Sequence, residues 1–144
     1  MPLSVEERET FLAEPHVAAL SVESGEEGRG PVTVPIWYTY QPGGDVVVCT
    51  GRTSRKARLI ADAGRFTLMV DRTAPSYRYV SVEGEVVSIA TATEDQVREH
   101  GSRYLPTKEA LEGYLRQVMA EPDAVVAITM RPRHWLTADV SAAS

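Results

Sequence analysis

The chain has 144 residues, 43% hydrophobic and 24% charged, with a formal net charge of −5. That is the make-up of one folded domain, 1–144, long enough to bury roughly 70% of the surface its unfolded form exposes. It excludes a disordered chain, a collagen and a coiled coil, and no apolar run approaches the ~18 residues of a membrane helix, so no membrane partner is expected.

The acidic opening from Met1 to Arg8 has no signal-peptide core, which makes a cytoplasmic protein the natural expectation. A single cysteine, Cys49, excludes an internal disulfide and a Cys-pair zinc site. The charge is unevenly spread. Between Arg52 and Arg78 lie seven of the 15 basic residues, opposed there only by Asp62 and Asp71. An acidic whole disfavours nucleic acid, and a local basic window suits a small anionic ligand better.

Ser4 to Glu7 reads as a capping box opening a short helix that Pro15 closes. His16 to Glu23 alternates as a strand, and Gly25 to Pro31 is a polar hairpin loop. Val32 to Tyr40 reads as one strand with an irregularity at Pro35, which has no N–H for a ladder. After the turn Gln41 to Asp45 comes the strand Val46 to Thr50. A helix from Ser54 to Ala63 ends at Gly64. Strands follow at Phe66 to Val70 and Tyr79 to Ala90, the second bending near Gly84. Helices at Glu94 to Tyr104 and Lys108 to Ala120 flank Pro106, Ala124 to Met130 is a last strand, and Arg131 to Ser144 shows no period. Six strands with short, interspersed helices predict a mainly β fold, an antiparallel barrel with peripheral helices.

The segment Thr50 to Arg58 concentrates the chemistry. A strand ends, a turn holds Gly51, and a helix opens at the N-cap Ser54 with Arg55 and Lys56 in its first turn. Basic residues there oppose the helix macrodipole by a few tenths of a kcal/mol each. An anion such as phosphate at the free N–H groups would account for them. The alternatives are a solvated cationic helix end or salt bridges to the acidic remainder.

The aromatic run Trp37, Tyr38 and Tyr40, with Tyr77 and Tyr79, fits a flat ring or simply a core or interface. His16, His100 and His134 lack metal-ligand spacing and read as structural or exposed, and Cys49 reads as a buried inert thiol. No Walker loop, G-x-S-x-G elbow or G-x-G-x-x-G occurs. No catalytic residue is identifiable, so any redox chemistry would be a cofactor's.

As a set, the strand His16-Val-Ala-Ala-Leu-Ser, the strand Gly30-Pro-Val-Thr-Val-Pro-Ile-Trp37, Thr50 with Ser54-Arg-Lys-Ala57, Phe66-Thr-Leu-Met-Val70 and Tyr79-Val-Ser-Val-Glu-Gly84 resemble the pyridoxamine 5′-phosphate oxidase-like flavin and deazaflavin split-barrel proteins. The resemblance implies a six-stranded Greek-key split barrel and a homodimer with cofactor in the cleft between subunits. It implies that Thr50, Ser54, Arg55 and Lys56 hold the cofactor phosphate. Val34, Pro35, Ile36, Trp37 and Tyr38 would run beside the ring, and Tyr79 would reach it from the other side.

The true oxidases carry an arginine on the strand after the Gly-Pro turn, where this chain has Val34 and then Pro35. The tail Arg131 to Trp135 does not reproduce their substrate motif either. The resemblance therefore points to the branch using the deazaflavin coenzyme F420, with FMN the alternative. The implied reaction is hydride transfer to a small conjugated substrate, with Tyr38 or Tyr79 a candidate proton donor. The competing expectation is a non-catalytic storage or sensor protein for flavin, F420 or haem. A further expectation is that Arg52 and Arg58 join Arg55 and Lys56 on an extended anion, unless Arg72 or Arg78 replaces the missing strand arginine.

Overall fold

A computed structural model describes residues 1–140. Ser4 caps α1 (Val5–Ala13) with both capping-box bonds formed, its Oγ accepting from the Glu7 N–H and the Glu7 carboxylate from the Ser4 N–H. The strands are β1 (Ala18–Val22), β2 (Val32–Ile36), β3 (Thr39–Tyr40), β4 (Val46–Gly51), β5 (Arg65–Arg72), β6 (Tyr77–Thr91) and β7 (Val125–Val140). The remaining helices are α2 (Arg55–Ala63), α3 (Glu94–Tyr104) and α4 (Lys108–Met119). One antiparallel sheet runs β2-β1-β5-β6-β7-β4-β3, the mainly β split-barrel arrangement with helices at its periphery.

The sheet has seven strands rather than six, because Val32 to Tyr40 is not one strand. β2 pairs with β1 at one edge of the sheet and β3 with β4 at the other. The chain at Trp37 and Tyr38 crosses between the edges, so the ladder is open while the covalent chain spans the gap. Tyr104 of α3 fills this break: its hydroxyl lies 3.3 Å from the Tyr38 N–H, from which it accepts, and 2.8 Å from the His16 carbonyl, to which it donates. A backbone group excluded from the ladder thus finds a side-chain partner.

The tail that shows no period is also a strand up to Val140, pairing along β6. Its aperiodic composition follows from changing surroundings. Trp135 packs on the barrel core, while its neighbour Leu136 is 64% exposed. Residues 141–144 of the expected tail lie outside the described residues. The bend at Gly84 is present as a register shift between Glu83 and Gly84, where a Cβ would stand 1.7 Å from the Arg131 carbonyl oxygen. Only glycine lets the two backbones approach this closely.

Inward residues such as Leu20, Leu68 and Val82 fill the barrel, capped by Phe11 and Leu12 of α1 and Leu59 and Ile60 of α2. A second, smaller core lies outside it. There Val97 of α3 and Leu115 of α4 pack on Ala127, with Val47 and Cys49 of β4 beside them. The two cores leave a seam between α2 and the α3–α4 pair.

Candidate functional site

That seam holds a cleft of about 320 Å³ lined by Val17, Pro35, Ile36, Trp37, Cys49, Thr50, Lys56, His100 and Tyr114. The side chains arrive from several elements. β2 and the break after it present Pro35 to Trp37, the end of β4 presents Cys49 and Thr50, and α2, α3 and α4 contribute Lys56, His100 and Tyr114.

One end is polar and cationic. The Ser54 Oγ accepts from the Ala57 N–H at 3.2 Å, leaving the N–H groups of Arg55 and Lys56 without an intrahelical acceptor. The Thr50 Oγ1 lies 3.3 Å from the Ser54 Oγ, so the two hydroxyls form one polar ledge beside the helix start. Lys56 is half-buried, lines the cleft and has no ion pair among the described residues.

Arg55 does not join it. With Arg58 it lines a separate groove that also contains Glu23, Glu26 and Asp62. Consecutive helix positions differ by about 100° in direction, which is enough to put Lys56 and Arg55 on different sides. Arg52 is committed elsewhere, donating to the Asp123 carbonyl at 2.8 Å and the Thr91 hydroxyl at 2.5 Å. Arg72 and Arg78 are also committed, since both pair with Asp139, Arg78 at 2.7 Å. They do not supply the missing strand arginine.

The other end is aromatic. Trp37 stacks on Tyr104 with ring centroids 4.8 Å apart and leans on Tyr114 at 5.7 Å. Ile36 is a core residue and Val34 packs against the core, Ile36 touching the cleft at its edge, while Pro35 and Trp37 line it from the outer side of the strand. Tyr38 corrects the sequence expectation. It is 0% exposed, with its hydroxyl 2.5 Å from the Leu12 carbonyl and 3.0 Å from that of Glu14. Burial pushes its phenol far above the usual tyrosine range, so it neither touches a ring in the cleft nor supplies a proton there. Tyr79 stands on β6, opposite Asp71 of β5. Three strand spacings, roughly 14 Å along the sheet, separate β6 from β2.

Four cleft residues escape sequence reasoning: Val17, His100, Cys49 and Tyr114. His100 and Cys49 are 51 residues apart, yet Cys49 Sγ lies 3.7 Å from His100 Nδ1. Burial, with some contribution from Glu99, pushes the Cys49 thiol up to about 11, which makes it a neutral neighbour rather than a nucleophile. Burial also raises the Tyr114 phenol, with Cys49 a lesser cause. No local signal announces such a cluster, because it exists only once α3 and α4 dock on β4.

Beside the cleft, and sharing Val17 and Pro35 with it, lies a mostly apolar groove of about 340 Å³ on the outer face of β1, β2 and β5. Val17 is 59% exposed there. The same face continues across the sheet through the cross-strand row Pro35, Ala19, Met69, Ser81 and Leu136. Among the described residues no group of three or more His, Cys, Asp or Glu side chains could hold a metal ion. No helix among them is long and apolar enough to cross a membrane.

Comparison with known proteins agrees with this architecture. A solved structure named an F420 reductase superposes with a TM-score of 0.71 at 22% identity, covering 89% of this chain and 94% of that one. A conserved hypothetical protein from Mycobacterium tuberculosis gives a TM-score of 0.72 at 22% identity, over 95% and 85% of the two chains. An FAD-binding protein from Mesorhizobium loti gives 0.69 at 16% identity over 98% of both. At these identities the likeness is one of fold. No curated protein matches the sequence. The family model for pyridoxamine 5′-phosphate oxidase matches residues 4–138, nearly the whole chain, and the protein belongs to that family.

Proposed function

We propose that the cleft binds a flavin-type cofactor, the deazaflavin F420 in preference to FMN, and that the protein is an oxidoreductase. The single observation that carries this reading is the half-buried, unpaired Lys56 beside the α2 N-terminus, at one end of a cleft whose other end is the Trp37 wall. A phosphate fits the first and a flat ring the second. Lys56, Thr50 and Ser54 would hold the phosphate, with the ring along Pro35 and Trp37. When bound, such a cofactor supplies a hydride to a small conjugated substrate, which is reduced by two electrons as the cofactor is oxidised, with the balancing proton taken from solvent. The chain's own residues orient the ring and exclude water.

The preference for F420 rests on Val34 and Pro35 standing where the oxidases place an arginine. Losing one charged hydrogen bond to a terminal phosphate costs roughly 1.5–3 kcal/mol, about ten- to a hundredfold in affinity. Side-by-side fluorescence titration with FMN and F420 tests it. Tighter FMN binding, or purification as a stoichiometric FMN complex, removes the preference, and binding of neither removes the site.

The working unit in this reading is a homodimer. The apolar outer face adjoins the cleft, and Tyr79 on that face is too far from its own β2 to meet the same ring. A second copy could bring it there. Obligate interfaces of this type bury on the order of 2,000 Å² or more. Light scattering at micromolar concentration tests this, and a monomer mass overturns it.

A second reading, a non-catalytic carrier or sensor of flavin, F420 or haem, is favoured by the cleft's lack of a carboxylate and by its neutral Cys49 and Tyr114. Turnover of reduced cofactor against a panel of conjugated substrates separates the two readings.

A further inference from the structure

His100 is 2% exposed, yet both ring nitrogens face backbone carbonyls, Nδ1 at 3.0 Å from Gln96 and Nε2 at 3.1 Å from Val47. A neutral imidazole has one N–H, so one of these contacts then sets a lone pair against a carbonyl oxygen, with the weak Cys49 S–H donor 3.7 Å from Nδ1. Only the imidazolium donates to both. Burial opposes that charge and outweighs everything that favours it. It lowers the affinity of His100 for its second proton against the two carbonyl contacts and an attraction from Glu99 on α3, with a weaker repulsion from Arg103 adding to burial. Lys56 of α2 lines the same cleft and is a second cation. Cys49 of β4 and Tyr114 of α4, the other titratable groups there, are neutral near pH 7 and offer no countercharge. The two carbonyl contacts suit a charged histidine, while burial disfavours the charge and no carboxylate among the described residues lines the cleft to balance it.

We infer that His100 is the ligand-coupled proton site of this cleft. An anion held beside Lys56 completes the charge balance, and the imidazole takes up a proton as that anion binds. The inference rests on the reading of the cleft as an anion-binding cofactor site and adds a coupling to it. Its sign is definite. Because the bound state holds the extra proton, affinity rises as pH falls through the interval between the free and bound titrations of His100.

Calorimetric titration at pH near 7 in two buffers of different ionisation enthalpy measures the protons exchanged, with FMN and F420 as the probes. A phosphate monoester itself titrates near ~6, so the readout is the difference between the native protein and His100→Gln, whose amide can keep one donor for the Val47 carbonyl. The expected result is an uptake approaching one proton per site that His100→Gln lacks while still binding. A purely structural histidine would change stability and leave the proton count alone, so equal counts in the two proteins overturn the inference.

If neither cofactor binds, the cofactor reading fails by itself. The ring ¹⁵N signals of His100 are then followed by NMR against pH, with and without inorganic pyrophosphate. An upward shift of that titration sustains the coupling. An unmoved titration, or a ring already cationic without any anion, overturns it.

Discussion

The basic window between Arg52 and Arg78 separates in space into two unlike sets. At the β5–β6 end, Arg72 and Arg78 share Asp139, with Arg78 also 4.0 Å from Glu7 and both guanidinium groups near the Phe11 ring. Their charge is spent on joining α1, β6 and β7. At the α2 end, Lys56 faces a cleft with no acid opposite. Both regions read as basic along the chain, yet one is neutralised by the protein and the other is open to a ligand. A basic residue therefore signals binding only when folding leaves it without a partner.

The largest expected effect is at Lys56. Lys56→Glu is expected to weaken F420 or FMN binding by about a hundredfold or more, since one charge-assisted bond contributes roughly 1.5–3 kcal/mol and repulsion replaces it. The melting temperature should hold or rise slightly, because a carboxylate suits a helix N-terminus. An unchanged dissociation constant would make Lys56 no different from the arginines at the other end.

Arg78→Ala should show the opposite pattern: a lower denaturant midpoint with cofactor affinity unchanged. If affinity falls with the fold intact, the two regions are not independent.

The pH dependence sharpens the same division. The Asp139 carboxyl is held below its ordinary 3.8 by hydrogen bonds from the Ser76 and then the Arg78 side chains. Glu7 is held below 4.5, chiefly by Ser4 through the capping box. A depressed carboxylate contributes stability that is whole above its unfolded value and drains away as pH falls through the folded one. Asp139→Asn should therefore flatten the acid limb of a stability–pH curve below about pH 4. Its effect on cofactor affinity at pH 7 should be nil.

The smallest effect is expected at Arg55, next to Lys56 in sequence. Since it lines the groove that contains Glu23 and Glu26, Arg55→Ala should change cofactor affinity less than about threefold, as screening over a Debye length allows. A loss equal to that at Lys56 would show that both cations reach one anion.

Much of this protein was legible from residue order because the deciding forces are local. Ser4 and Ser54 cap their helices through their own N3 amides, Gly64 ends α2 with φ of 72°, and alternation marks β1 and β4. Family membership follows from motifs spread over most of the chain. What tertiary structure alone decided is how distant groups share space. The break at Trp37 and Tyr38 depends on Tyr104, 66 residues from Tyr38, supplying the missing hydrogen bonds. Tyr38 is removed from the cleft by the Leu12 and Glu14 carbonyls, although its neighbour Trp37 lines it. His100 and Cys49 look inert in sequence and meet at the cleft only when α3 packs on β4. Burial and pairing are properties of neighbours across space, and these neighbours lie tens of residues apart along the chain.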